Sequence, residues 1–262
     1  MKPVTLYQID AFAEQSFTGN PAAVVVLDEW IKEETMQNIA LENNLSETAF
    51  LVQKDNLYEI RYFTPKSEVE LCGHATLGSS FVLFELLNYT GATITFRTMN
   101  RGDLYVSKKG DIFELDFPTD ILEEADFPAE LTKALNVHPL KWLSGKTDLL
   151  LEYQNEEQIK AIEPNFEAMK RANVRGIIVT APGNEVDFVS RFFAPGEGIN
   201  EDPVTGSAHT TLIPFWYEKL GKQKMIAKQL SERGGKIYCE YAGNRVKIGG
   251  KAIHYLTGTI YF

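Results

Sequence analysis

The feature that most constrains this chain is an internal repeat. Residues 61–77 read R-Y-F-T-P-K-S-E-V-E-L-C-G-H-A-T-L, and residues 191–212 read R-F-F-A-P-G-E-G-I-N-E-D-P-V-T-G-S-A-H-T-T-L. Both copies open with an arginine and two aromatics, reach a proline (Pro65, Pro195), and pass through acidic residues. Both then arrive at a glycine followed by a polar side chain (Gly73-His74, Gly206-Ser207) that enters an apolar run. The second copy begins 130 residues after the first in a chain of 262, so the repeat divides the sequence in half. Such a duplication predicts two similar domains facing one another across a cleft, with a site built from both.

Local patterns within each half agree with this division. Val4–Phe12 alternates as a strand, and Ala22–Leu27 is a β-branched run too short for a helix. The F-T-G-N-P segment (Phe17–Pro21) between them is a turn. Thr35–Asn44 carries Met36, Ile39 and Ala40 at helical spacing. Thr48–Gln53 and Tyr58–Phe63 read as strands around a polar turn. Ala75–Leu87 is apolar on nearly every face, which predicts a buried central helix. Strands follow at 92–98, 104–107 and 112–117. Pro118–Ala129, rich in proline and acids, is the expected linker, giving domains 1–118 and 119–262, with the final strand free to pair back onto the first domain. In the second half, 128–135, 155–162 and 164–172 read as helices, 176–181 and 187–193 as strands, and 207–220 as the second central helix. Pro214 is expected to kink that helix.

Composition limits the partners. A formal net charge of −10 repels nucleic acid and anionic membranes, and no stretch approaches the roughly 18 apolar residues of a membrane span. The opening residues lack a signal-peptide core. Cys72 and Cys239 lie far apart without metal spacing and read as reduced thiols of a cytoplasmic protein. With four histidines in the chain and no H-x₃-H pair, no structural metal site is expected. The phosphate-binding motifs G-x-x-x-x-G-K-[ST] and G-x-G-x-x-G are absent.

Six motifs, in order, carry a resemblance: F-T-G-N-P-A-A-V (17–24), N-L-S-E-T-A-F (44–50), F-T-P (63–65), L-C-G-H-A-T-L (71–77), F-A-P-G-E-G-I-N-E-D-P-V-T-G-S-A-H (193–209) and S-E-R-G-G (231–235). Over almost its whole length the chain resembles the phenazine-biosynthesis PhzF-like family, which shares its fold with diaminopimelate epimerase and proline racemase. The resemblance implies an α+β fold of two similar halves, each a curved, mostly antiparallel sheet wrapped around a central helix, with the active site between them. It implies a cofactor-independent isomerase, a homodimer, acting on a small anionic metabolite. Carried over by motif, Glu47 is the catalytic carboxylate, His74 and Asp202 are its partners, and Ser207 touches substrate.

Each of these residues also has an ordinary reading. Glu47 alone would be a polar residue closing a loop. A proton carrier at neutral pH, however, needs the raised proton affinity that partial burial supplies. His74 would be a helix-capping histidine. At a helix N-terminus the unpaired N–H groups and the positive dipole end suit an anion, and they predict a neutral imidazole. Gly73 and Gly206 open the two helices, whose paired N-termini would hold a substrate carboxylate. Asp202 is held extended by Pro203, and otherwise reads as a loop carboxylate favouring the helix that follows. Asn20 is either a turn residue or a substrate contact, and His209 either packs in its helix or faces substrate. Cys72 occupies the place of one thiol of the two-thiol pair in the racemase and epimerase relatives. Since the second motif offers Asp202-Pro203-Val204 and no cysteine, a small buried hydrophobe is the simpler role. Two rival readings therefore stand beside the isomerase: a non-catalytic binding protein on the same fold, and a Cys72-based racemase or epimerase.

Overall fold

The computed structural model describes residues 3–262. The chain divides into two compact units, one running to Asp116 and taking in Gly249–Phe262, the other Phe117–Ile248. In unit 1 the elements are β1 (Pro3–Ala11), β2 (Asn20–Leu27), α1 (Glu33–Asn43), β3 (Glu47–Lys54), β4 (Leu57–Phe63), β5 (Glu68–Val69), α2 (Gly73–Phe81), β6 (Thr93–Arg97), β7 (Asp103–Lys109) and β8 (Ile112–Pro118). The strands order as β1-β2-β3-β4-β6-β7-β8, with β5 paired to β4. The chain's last strand, Ala252–Tyr261, lies antiparallel outside β1, in register from Pro3↔Tyr261 to Ala11↔Ala252 across one bulge. β2 runs parallel to β3, and β3 antiparallel to β4.

The sequence of β2, N-P-A-A-V-V-V-L, is apolar on consecutive residues because this parallel pair is covered on both faces. Ala23 and Val25 pack with Met36, Ile39 and Ala40 of α1 in one cluster that also takes Phe50, Val52 and Phe63. Toward the other face lies α2, buried from His74 to Ser80. Gly78 faces Ile9 and Ala22, and a Cβ there would meet them at 3.5 and 3.8 Å, ordinary van der Waals contact. The expected helix 75–87 is thus present but changes character: α2 ends at Phe81 and the chain continues as a π-helical turn, Val82–Leu86.

Unit 2 contains α3 (Leu131–Ala134), β9 (Lys141–Ser144), β10 (Asp148–Glu152), α4 (Glu156–Lys160), α5 (Phe166–Lys170), β11 (Gly176–Pro182), β12 (Phe188–Phe193), α6 (Ala208–Leu220), β13 (Lys224–Gln229), β14 (Gly235–Tyr241) and β15 (Arg245–Gly250). Its strand order is β9-β10-β11-β12-β13-β14-β15. β10 is parallel to β11, β11 antiparallel to β12, and β12 parallel to β13. The same senses recur in unit 1 for β2, β3, β4 and β6, so the repeated motif sits in a repeated topology. The helices α3, α4 and α5 contribute Leu131, Ile159 and Met169 to a core shared with Leu149, Leu151, Val179 and Phe193. α6 remains helical through Pro214.

The arginine that opens each repeat has the same work in both units. Arg61 donates from Nε and Nη2 to the two carboxylate oxygens of Glu68, both at 2.6 Å, and stacks over Phe63. Arg191 donates likewise to Glu201 at 2.7 and 2.9 Å and stacks over Phe193. Each clamp ties the polar loop to the strand before it. Among the described residues no helix is long and apolar enough to cross a membrane.

Candidate active site

β2 and β3 are parallel, so their first residues share one end of the sheet: Asn20 opens β2 and Glu47 opens β3, where it pairs with Ala22. The N-terminus of α2 arrives at the same place. Thr76 locks that start: its hydroxyl donates to the Cys72 carbonyl at 2.6 Å and meets the Tyr62 hydroxyl of β4 at 2.6 Å. Cys72 is the N-cap in extended conformation and makes no side-chain cap hydrogen bond, so the helix keeps free N–H donors at Gly73 and His74.

Four side chains meet there, all buried. His74 Nε2 stands 3.1 Å from Glu47 Oε2. Asn20 Nδ2 lies 3.1 Å from His74 Nδ1. The Cys72 sulfur lies 3.4 Å from Nδ1 and 3.9 Å from Nε2 of the same ring. The Glu47–His74 separation is a hydrogen-bond distance, yet Glu47 Oε2 accepts no hydrogen bond of good geometry. The contact is an ion-pair one, and a carboxylate oxygen with a single such neighbour keeps a lone pair for a further proton.

Burial, the largest influence on His74, opposes a charge on the ring. Negative charge beside the ring, from the Cys72 sulfur whenever it is ionised and from the Glu47 carboxylate, outweighs it and holds its proton affinity well above that of a free imidazole. The neutral imidazole expected from the helix end alone is therefore corrected: partners in contact prevail over the dipole. Burial pushes the Cys72 thiol up, and the Glu47 charge adds to the effect, so Cys72 rests as a thiol. It is buried as expected of a small hydrophobe, but its sulfur also touches the central ring of the cluster.

The remaining expected residues belong to unit 2. Asp202 is buried, and its Oδ2 accepts a 2.5 Å hydrogen bond from the Thr205 hydroxyl. Gln229 stitches the loop by donating to the Asp202 carbonyl at 2.8 Å and accepting from Thr205 N at 2.9 Å. Thr205 and Gln229 were not singled out in the sequence. The spacing of Asp202 and Thr205, three apart across Pro203, was the available signal for the first, and nothing local marked the second. Gly206 is buried, and Ser207 is the exposed N-cap of α6, again without a side-chain cap hydrogen bond. His209 is fully buried, with Nδ1 donating to the Thr205 carbonyl at 2.9 Å, which assigns it to packing.

A family model described as phenazine biosynthesis-like protein (PhzC-PhzF) matches residues 9–258. The chain is 46% identical to an uncharacterized isomerase of Pseudomonas aeruginosa, over 97% of each sequence, and 38% identical to a human phenazine biosynthesis-like domain-containing protein, over 97% and 98%. A crystal structure of a PhzF-family protein from Enterococcus faecalis superposes with a TM-score of 0.96 at 46% identity, covering both chains fully. A hydroxyproline epimerase of Agrobacterium vitis shares the fold alone, with a TM-score of 0.67 at 10% identity, over 98% of this chain and 92% of that one.

Proposed function

The chain belongs to the phenazine biosynthesis-like (PhzC-PhzF) family and is an enzyme of isomerase type; from that premise we propose that it moves a proton on a small carboxylate-bearing metabolite, with Glu47 as the proton carrier and no cofactor. The observation that carries this reading is the buried Glu47 oxygen, 3.1 Å from His74 Nε2 and accepting no well-formed hydrogen bond. Such an oxygen can take a proton from a substrate carbon and return it to another position. His74 balances the charge: its raised proton affinity lets it stay cationic beside the Glu47 carboxylate, and the Asn20 amide, 3.1 Å from Nδ1, holds a cationic ring when it is turned to accept through Oδ1. The uncapped start of α2 supports binding of a substrate carboxylate by backbone N–H groups. Asp202 keeps the partner role that the family resemblance implies, and its bond from Thr205 supports a rigidly presented carboxylate. Assembly as a homodimer is part of the same proposal and is read by sedimentation velocity.

The test is deuterium incorporation from D₂O into a panel of α-amino and unsaturated carboxylic acids, followed by mass spectrometry. Glu47→Gln keeps the shape of the side chain but cannot carry a proton, so the rate of exchange into the responding acid should fall by about 10²–10⁴-fold. Activity should persist with a chelator present. Exchange at the wild-type rate in the Gln variant would show that the proton travels by another group.

A further inference from the structure

We propose that Glu47, Cys72 and His74 form a binding site for one thiophilic divalent cation of the zinc type, which goes beyond the isomerase reading and competes with it. The three side chains offer one ligand atom each, a carboxylate oxygen, a thiol sulfur and an imidazole nitrogen, all within 4.8 Å of one another and all buried. That donor set is the one zinc selects. At Zn–N and Zn–O distances of about 2.0–2.1 Å and Zn–S of about 2.3 Å, the edges of a tetrahedral site span roughly 3.3–3.6 Å. His74 Nε2 and Glu47 Oε2 stand 3.1 Å apart, and Cys72 Sγ and His74 Nε2 stand 3.9 Å apart. The third pair, Glu47 and Cys72, lies within 4.8 Å, and closing the set on one ion requires these two ligand atoms to draw together.

Beside the spacing, Glu47 Oε2 is a buried carboxylate oxygen with His74 Nε2 at 3.1 Å, and a cation that replaces the Nε2 proton takes over the balancing of that buried charge. The charge closes as well. On binding, the cation displaces both the Cys72 S–H proton and the His74 Nε2 proton to solvent, so the thiolate and the Glu47 carboxylate together neutralise the two positive charges beside a neutral imidazole. The cation takes the Nε2 lone pair, the ring proton then resides on Nδ1, and the Asn20 amide turns over to accept it with Oδ1, the outer-shell partner that ligating histidines commonly have. A fourth position remains open. Magnesium and calcium, which require oxygen ligands, do not suit the site. A cation held there occupies the oxygen assigned above to proton transfer, so the occupied enzyme is an inhibited one.

The experiment uses the purified full chain stripped of metal and titrated with Co²⁺, with ultraviolet absorption as readout. A thiolate-to-cobalt charge-transfer band that saturates at one equivalent, is bleached by Zn²⁺ and ignores Mg²⁺ is the expected result. Cys72→Ser should abolish the band, while Cys239→Ser, which alters the buried thiol of β14, should retain it. His74→Asn should weaken Co²⁺ affinity by more than the roughly 10–100-fold that even outer-shell changes cost. Absence of a stoichiometric band in the wild-type protein overturns the proposal without reference to any variant's folding, and so does a band that survives Cys72→Ser. The titration involves no turnover, so its failure leaves the acid–base reading standing, and failure of the deuterium test leaves this one standing.

Discussion

His209 shows how far a single residue's surroundings set its behaviour. The ring is fully buried, Nδ1 donates to the Thr205 carbonyl, and Nε2 has no hydrogen-bond partner. Burial depresses its pKa from 6.5 to about 4, against a smaller upward pull from the Thr205 carbonyl. Between those values the unfolded chain binds a proton that the folded chain refuses. Stability is therefore full above pH 6.5, declines as the pH falls toward 4 and levels off below. A gap of about 2.5 units at ~1.36 kcal/mol each amounts to about 3 kcal/mol. His209→Gln keeps a donor for Thr205 but does not titrate, so urea midpoints measured from pH 7 to pH 4 should decline less steeply in the variant; an unchanged slope would assign the acid sensitivity elsewhere. At this scale the sequence was legible where a motif fixed a residue type, as at Glu47, His74 and Asn20, which meet in one cluster. It was silent on contacts made through space: Cys72 lies two positions from His74, yet only the turn into α2 lays its sulfur against the ring.

At the scale of elements, the repeated arginines were visible as letters long before their use was. Arg61 and Arg191 each clamp the loop that leads into a central helix, so the repeat preserves a tether as well as the residues at the helix start. Arg61→Ala removes a bidentate, half-buried ion pair and a stacked contact over Phe63, and should cost about 2 kcal/mol by urea unfolding. Arg61→Lys should recover less than half of that, because an ammonium cannot span both Glu68 oxygens. Full recovery by lysine would reduce the clamp to simple charge. Period and turn chemistry revealed most of the helices and strands, but β9 and β10 were missed. Their sequences, K-W-L-S and D-L-L-L-E, are short and leucine-rich, and β10 opens on an aspartate. That aspartate is buried with Arg175 at 2.5 Å, an ion pair supplied by a residue 27 positions away. The π-helical turn after α2 was likewise unreadable, since its residues are as apolar as those of the helix it continues.

For the whole molecule, the order of strand senses around β2, β3, β4 and β6 recurs around β10, β11, β12 and β13, one series in each unit. The last strand was expected to return to the first domain, but its register, Pro3 with Tyr261, joins chain ends distant in sequence and could not be read from local pattern. Its role sets a test of how the units divide their stability. The strand covers β1 along its whole length, and its Ile260 packs with Val4, Leu6 and the α1 cluster. The main core of unit 2, built from residues such as Leu131, Leu151, Val179 and Phe193, draws on none of it. Removing residues 252–262 exposes one edge of β1 to solvent and opens the α1 core, so protection against hydrogen exchange should fall in β1 and β2 first and then through residues 3–116. The amides of β10, β11 and β12 lie in a sheet whose hydrogen bonds and core remain, and they should exchange slowly in the truncated chain as in the intact one. Hydrogen exchange with peptide-level mass spectrometry separates the two regions directly. Uniform loss of protection across both would mean that the chain folds as one cooperative body and that the division into units describes its geometry alone.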